Sequence, residues 1–281
     1  SDGSQDLSFG VNGVFDFTAV SQLQFVNSGD IVVHPDGSST IFAVNSGGPH
    51  GAVVARLRSN GRLDSSFGTS PGFRVETFGI YTLEDIVDVK QTPGGKFVAA
   101  IQANEGSAFN SRFIVARFNA DGSLDSSFNG IGYQVVDFGL GIDATPRSLA
   151  LQPDGKVVAV GFTDPLGNED LAIVRLNVNG TPDPTFNGDG VDTIDFIGNN
   201  EAALDVVIQT DGKIVVGGSA NPMALSFDDL ILVRYNPDGM FDTSFNGSGV
   251  QVITGASFDE FRIMKLQADG KLVAIAGTTN S

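Results

Sequence analysis

Arg117-Phe-Asn-Ala-Asp-Gly-Ser-Leu-Asp-Ser-Ser-Phe128 decides the fold, because the way it ends recurs along the whole chain. The Asp-x-x-Phe ending stands at Asp6-Leu-Ser-Phe9, Asp64-Ser-Ser-Phe67, Asp125-Ser-Ser-Phe128, Asp183-Pro-Thr-Phe186 and Asp242-Thr-Ser-Phe245, with its phenylalanines 58, 61, 58 and 59 residues apart. A fixed period of this size is one supersecondary unit repeated, each unit needing its neighbours to bury an apolar face. What obeys the period is therefore scaffold, and function is to be sought in what departs from it.

Working outward, Ser148-Leu-Ala-Leu-Gln152 alternates, Pro153-Asp154-Gly155 turns, and Lys156-Val-Val-Ala-Val160 returns, which reads as a hairpin. A polar loop, Thr163 to Asp170, leads to a third strand, Leu171-Ala-Ile-Val-Arg175-Leu, and after Asn179-Gly180 a fourth, Val191-Asp-Thr-Ile-Asp-Phe196. No window sustains a helical period. Each unit thus reads as a four-stranded antiparallel meander, and the units fall near residues 22–78, 83–138, 147–196, 204–254, and 262–277 with 1–18. Four strands repeated about an axis make a β-propeller blade, and closing the ring removes exposed sheet edges. The expectation is a single all-β propeller domain over residues 1–281, of about five blades. An open solenoid is the competing architecture.

The span from Lys156 to Phe186, the opening stretch, and Arg234-Tyr-Asn-Pro-Asp-Gly-Met-Phe-Asp-Thr-Ser-Phe245 together resemble the bacterial delta-60 repeat, a domain of unknown function assigned to β-propellers. The resemblance covers essentially the whole chain. It implies a large exported or surface-attached bacterial protein, and it carries no catalytic residues to transfer.

Charge and composition narrow the partners. A formal charge of −17 and no cluster of Lys and Arg argue against nucleic acid and against anionic membranes. No apolar run approaches the roughly 18 residues of a membrane span. The absence of cysteine excludes disulfides, thiolate metal sites and thiol catalysis.

Most recurring polar residues read as structure. Arg56, Arg117, Arg175 and Arg234 each precede an Asp-x-x-Phe aspartate by eight residues, so each is expected to pair with Asp64, Asp125, Asp183 or Asp242. Lys96, Lys156, Lys213 and Lys271 follow hairpin glycines and read as solvated turn residues. The repeated phenylalanine is expected between neighbouring blades.

Three candidate sites remain. Asn119, Asp121 and Asp125, and likewise Asn236, Asp238 and Asp242, gather oxygen ligands on short turns, as calcium requires, although Asn and Asp also shape such turns unaided. Asp30, Asp88 and Asp205, with Ser148 and Ile263, share one position seven residues before the hairpin glycines, so acids from several blades could meet at a channel mouth as in glycosidases. A repeated structural contact explains the same pattern. Loops after the second strand differ in length and content: Asn45 to His50, Asn104 to Asn110, Thr163 to Asp170 (with Asp164), and Asn221 to Asp229 (with Asp228). Such loops are where propellers present ligand surfaces.

The termini leave one blade short. Residues near Val14 to Phe17 are expected as a fourth strand, and Arg262 to Gln267 with Lys271 to Ala276 as a first and second, leaving about 15 residues of one repeat, third strand included, without a counterpart. A longer repeat protein or a strand donated by a partner would fill that slot. The functional expectation is a secreted or cell-surface binding, adhesion or structural module whose partner is a surface glycan, a protein ligand or further repeats. The alternative is a carbohydrate-active enzyme.

Overall fold

The protein is seen here as a computed structural model that describes residues 2–277 apart from 3, 18–19, 21–22, 24–25, 48–49, 70, 107–109, 140–141, 166, 197–199, 222–228 and 255–259. Among the described residues it is all-β, with no α-helix. The first sheet holds β1 (Val26–Val33), β2 (Ser39–Asn45), β3 (Gly51–Leu57) and β4 (Phe73–Glu76) in that order. The second holds β5 (Tyr81–Gln91), β6 (Phe97–Glu105), β7 (Ser111–Phe118) and β8 (Tyr133–Val135), the third β9 (Asp143–Leu151), β10 (Val157–Asp164), β11 (Asp170–Leu176) and β12 (Val191–Ile194). The fourth holds β13 (Asn200–Ile208), β14 (Ile214–Asn221), β15 (Asp229–Tyr235) and β16 (Val250–Ile253). Each is a meander in chain order, antiparallel throughout in the first, third and fourth sheets. Among the described residues the fifth holds β17 (Glu260–Leu266) and β18 (Leu272–Gly277).

These are propeller-type blades, the fifth with two strands among the described residues. One expectation fails. Val14 to Phe17 form no strand; Val14 makes isolated bridges to Gly10 and Val11 instead. A fourth strand needs a third-strand edge to pair with, and among the described residues none is offered to this segment. Its apolar side chains are used differently: Phe17 and Val20 pack against the cluster of Leu23, Val53, Ala55 and Phe73.

The chain divides into two compact units, residues 1–110 with 116–133, and 111–115 with 134–281. In the first, Phe42 packs on Phe97 and Phe118, ring centres 5.1 and 5.4 Å apart. In the second, Val158, Val160, Ile173, Phe186, Val216 and Tyr235 belong to one core cluster. The inner strands are buried on both faces, so they read as unbroken apolar runs rather than alternating ones. Packing is close enough that Gly217 on β14 is obligatory: a Cβ there would stand 2.4 Å from the Phe261 ring on β17.

Each first strand carries a bulge ahead of the position shared by Asp30, Asp88, Ser148, Asp205 and Ile263, directly before it in the last four and one residue earlier in β1. The extra residue kinks the strand and turns that side chain out of the alternating pattern. This local device sets where those acids point.

Candidate binding groove

The recurring charges are consumed internally. Asp183, on the turn after β11, receives Arg175 Nε at 2.7 Å and Lys156 Nζ at 2.9 Å on Oδ2, while Oδ1 accepts the Thr185 amide and hydroxyl at 3.1 and 2.8 Å. Asp125 with Arg117 and Lys96, and Asp242 with Arg234 and Lys213, repeat this geometry at 2.6–2.8 Å. Burial works to raise the Asp125 and Asp183 carboxyls, but the lysine, hydroxyl and arginine donors outweigh it and hold both below the usual carboxylate range. Lys213, then Ser244, does the same for Asp242. Each arginine also lies over the phenylalanine of its own motif, 4.6–4.9 Å from the ring centre in these three repeats.

Two expectations are corrected here. Lys96, Lys156 and Lys213 are not solvated turn residues; the hairpin aims each at the aspartate 27 or 29 residues ahead. In the first repeat the expected arginine–aspartate pair does not form: Arg56 bonds the Thr40 hydroxyl at 3.1 Å, and Asp64 pairs with Arg58 at 3.2 Å. Ser38 stands there in the place of the hairpin lysine.

The calcium candidates are engaged in turns. Asp121 Oδ1 accepts the Ser123 amide and hydroxyl at 3.0 and 2.6 Å, Asn119 donates to Ser123 Oγ at 3.0 Å, Asp238 accepts the Met240 amide at 3.0 Å, and Asn236 donates to the Phe241 carbonyl at 3.3 Å. Asp125 and Asp242 are the salt-bridged acids just described. The acids at the bulge are staples between sheets. Asp30 accepts the Val89 amide of β5 at 2.8 Å, and Asp205 accepts the Met264 amide of β17 at 2.7 Å and the Ser148 hydroxyl of β9 at 2.9 Å. Each also accepts the amide of its own successor, Ile31 or Val206. Asp88 is buried beside the Lys90 ammonium.

The variable loops scatter. Asn45 is buried at the end of β2, while His50 and Asn110 are exposed. Asn104 donates to Glu84 at 2.9 Å, Asp164 accepts the Gly167 amide, Asn221 ends β14 and Asp229 begins β15. Asp228 lies outside the described residues. Asp170 meets Asp195 and Glu201, their carboxylate oxygens all within 4.8 Å, in a donor set that suits a hard cation. Burial first, then the charge of Asp195, pushes the Asp170 carboxyl up. The sequence pointed to Asp170 alone, because the other two come from different strand ends.

Departures from the period converge elsewhere, between β12 and the turn at 236–241, at an open groove of about 320 Å³. Asp192 sits opposite Ile173, two residues before Arg175; the same place opposite Val54 is Arg74 and opposite Leu232 is Gln251. Facing it, Met240 and Phe241 stand where the other repeats have Arg62 and Leu63, Ser123 and Leu124, or Thr181 and Pro182. Both are open to solvent, at 59% and 37%. Behind them Tyr235 replaces Leu57, Phe118 and Leu176, fully buried, its ring 5.4 Å from Phe241 and its hydroxyl without a hydrogen-bond partner in this structure. Asn187, by contrast, is scaffold: like Asn129 and Asn246 it is held near φ 50° and donates to a carbonyl four residues on. The facing turn comes close because Gly239, at φ 87°, has no Cβ to strike Asn187 N or the Phe186 ring, 2.5 and 3.0 Å from where one would stand.

Asp192 is electrostatically unusual. Burial, and next the Asp189 charge, push its carboxyl up to about 6 against hydrogen bonds from the Thr193 amide and Asn187. Burial and then the Asp192 charge raise the Tyr235 phenol well above its ordinary value. In the first repeat the equivalent groove is closed by its own side chain: Arg74 bonds Glu76 at 2.9 Å and reaches Asp121, the counterpart of Asp238, at 3.7 Å. Asp192 is too short and of the wrong sign to do this.

Residues 35–67, 106–128, 152–186 and 209–245 match the profile of a family described as domain of unknown function (DUF5122) beta-propeller. These matches bear out the delta-60 resemblance. No curated protein sequence matches the chain. Among solved structures, a protein of unknown function from Dyadobacter fermentans DSM 18053 is 13% identical, with a TM-score of 0.49 over 84% of this chain and 67% of that one. A PL25 ulvan lyase is 11% identical with a TM-score of 0.47, covering 76% of this chain, which spans 54% of that enzyme. A GH43 β-1,3-galactosidase is 11% identical with a TM-score of 0.43 over 88% and 84%.

Proposed function

We propose that this chain, a β-propeller repeat domain carrying four DUF5122 repeats, is a non-catalytic binding module of an exported or cell-surface bacterial protein, and that it holds its ligand in the Asp192 groove. One observation carries the reading. The polar residues that recur serve the fold, whereas Asp192, Met240 and Phe241, which break the period, gather at one opening, with buried Tyr235 behind Phe241. A recess with an exposed aromatic face and a few convergent polar groups is the common form of a small-ligand site.

The carbohydrate-active alternative would place proton transfer on Asp30, Asp88 and Asp205. Asp30 and Asp205 each give both oxygens to backbone amides, which supports a structural task for that column. Screening an array of glycans and short peptides tests the proposal. Retention lost on Asp192→Asn with Phe241→Ala, without turnover of any glycan, is the expected result. Turnover abolished by Asp88→Asn or Asp205→Asn in a protein that still folds would replace it with the enzyme.

A further inference from the structure

Resting on that reading, we infer that the Asp192 groove takes a guanidinium group as the anchoring part of its ligand. The chain itself supplies the template. In the first repeat the corresponding groove is occupied by the guanidinium of Arg74, which bridges Glu76 on the outer strand and Asp121 on the facing turn. In the groove at β12 the arginine is replaced by Asp192, and the recess, lined by Asp192 itself, loses its internal cation and gains an acid, while Asp238 holds the turn position of Asp121 outside the lining. Asp195 adds a second carboxylate to the lining, and no Lys or Arg lines it.

The remaining wall matches the same group. A guanidinium is a flat, weakly hydrated cation that binds carboxylates through two parallel N–H donors and stacks on aromatic rings. Among the described residues five of this chain's own arginines lie 4.6–5.1 Å over phenylalanine rings, and Arg117, Arg175 and Arg234 of these also bond a carboxylate. Phe241, half-exposed beside Asp192, offers a ring and an acid in one recess. Exposed Met240 gives an adaptable surface for the aliphatic part of the ligand. A net charge of −17 favours approach of any cation.

Ionised Asp192 is the binding form, so affinity rises as pH passes about 6. The titratable groups around it are Asp189, Asp195 and Tyr235. Of these the neighbouring acids only strengthen the preference for a cation.

The guanidinium could be that of a free small molecule or of an arginine side chain in a polypeptide, and the probes separate the two. Titrating ¹⁵N-labelled protein at pH 7.5 with methylguanidinium, and separately with the peptides Gly-Arg-Gly and Gly-Lys-Gly, reads the amides of Asp192, Thr193, Met240 and Phe241. Saturable shifts there with methylguanidinium support the small-molecule source, and shifts with Gly-Arg-Gly alone support the side chain. Either is expected to weaken at least tenfold in Asp192→Asn and to vanish in Asp192→Arg. That second variant puts an arginine at the position of Arg74, though with Ile194 in the place of Glu76, so it fills its own groove. The inference is overturned if neither guanidinium probe shifts these amides, if Gly-Lys-Gly does so as well as Gly-Arg-Gly, or if the two variants bind like the parent. The binding-module reading outlives that failure only if another ligand from the array shifts the same amides.

Discussion

Asp183 and Asp64 close the same motif, and they do different amounts of structural work. The Asp183 side chain is 2% exposed and holds Arg175 and Lys156, whereas the Asp64 side chain is 24% exposed and holds only Arg58, itself 55% exposed. The Asp and Phe of the motif are shared, with Ser-Ser between them in one copy and Pro-Thr in the other; what differs beyond it is Lys156 against Ser38, and an Arg56 that turns to Thr40. A short motif therefore fixes the local turn, through the hydroxyl and amide two residues on, but the energy it commands depends on partners far off in sequence. The lesson extends to the groove. One repeat closes its outer recess with Arg74 and another leaves it open at Asp192, at matching places in the strand register.

The largest expected effect breaks the strong side of that comparison. Asp183→Ala leaves Arg175 buried without its carboxylate and should cost about 3–5 kcal/mol in urea unfolding. Lys156→Ala removes one of two cations from a charge-assisted contact and should cost about 1.5–3 kcal/mol by the same measurement. Asp64→Ala, at the exposed pair, should cost no more than about 1 kcal/mol. An equal loss for Asp64→Ala and Asp183→Ala would erase the distinction between them.

Acid titration sharpens the same contrast by sign. Asp125, Asp183 and Asp242 are held below their ordinary value of 3.8, so the stability they contribute is present above that pH and is lost as pH falls below it. Asp192 is raised to about 6, so its contribution declines as pH rises from about 4 to about 6 and is flat above. Unfolding followed against pH should show Asp183→Asn flattening the acid limb, and Asp192→Asn removing a decline in the middle range. A middle-range slope unchanged in Asp192→Asn would mean that this carboxyl is not perturbed.

Much of the scaffold was legible because it is local. An arginine eight residues before its aspartate is a spacing that a strand and one turn can bridge, and it is seen in three repeats. The lysine contacts were not, since a residue after one hairpin reaches an acid beyond the next strand, and only the pleat of the folded sheet shows which way it leans. The bulge hid the purpose of Asp30 and Asp205: a count of seven finds the column, but the inserted residue decides that both turn to a neighbouring strand. Arg74 and Asp192 differ by one residue in their distance from the motif phenylalanine, so their equivalence emerges only from strand register. Met240 and Phe241 were visible as substitutions within the period, yet nothing in the chain alone brings them to one opening with Asp192 or sets Tyr235 behind them.

The division between scaffold and recognition is tested most directly by unfolding Asp183→Asn and Asp192→Asn side by side in urea at pH 7. The account predicts that Asp183→Asn loses several kcal/mol, as removal of a buried partner does, while Asp192→Asn is as stable as the parent or more so, having shed a carboxylate that the fold disfavours. A marked loss in Asp192→Asn with little change in Asp183→Asn would contradict it.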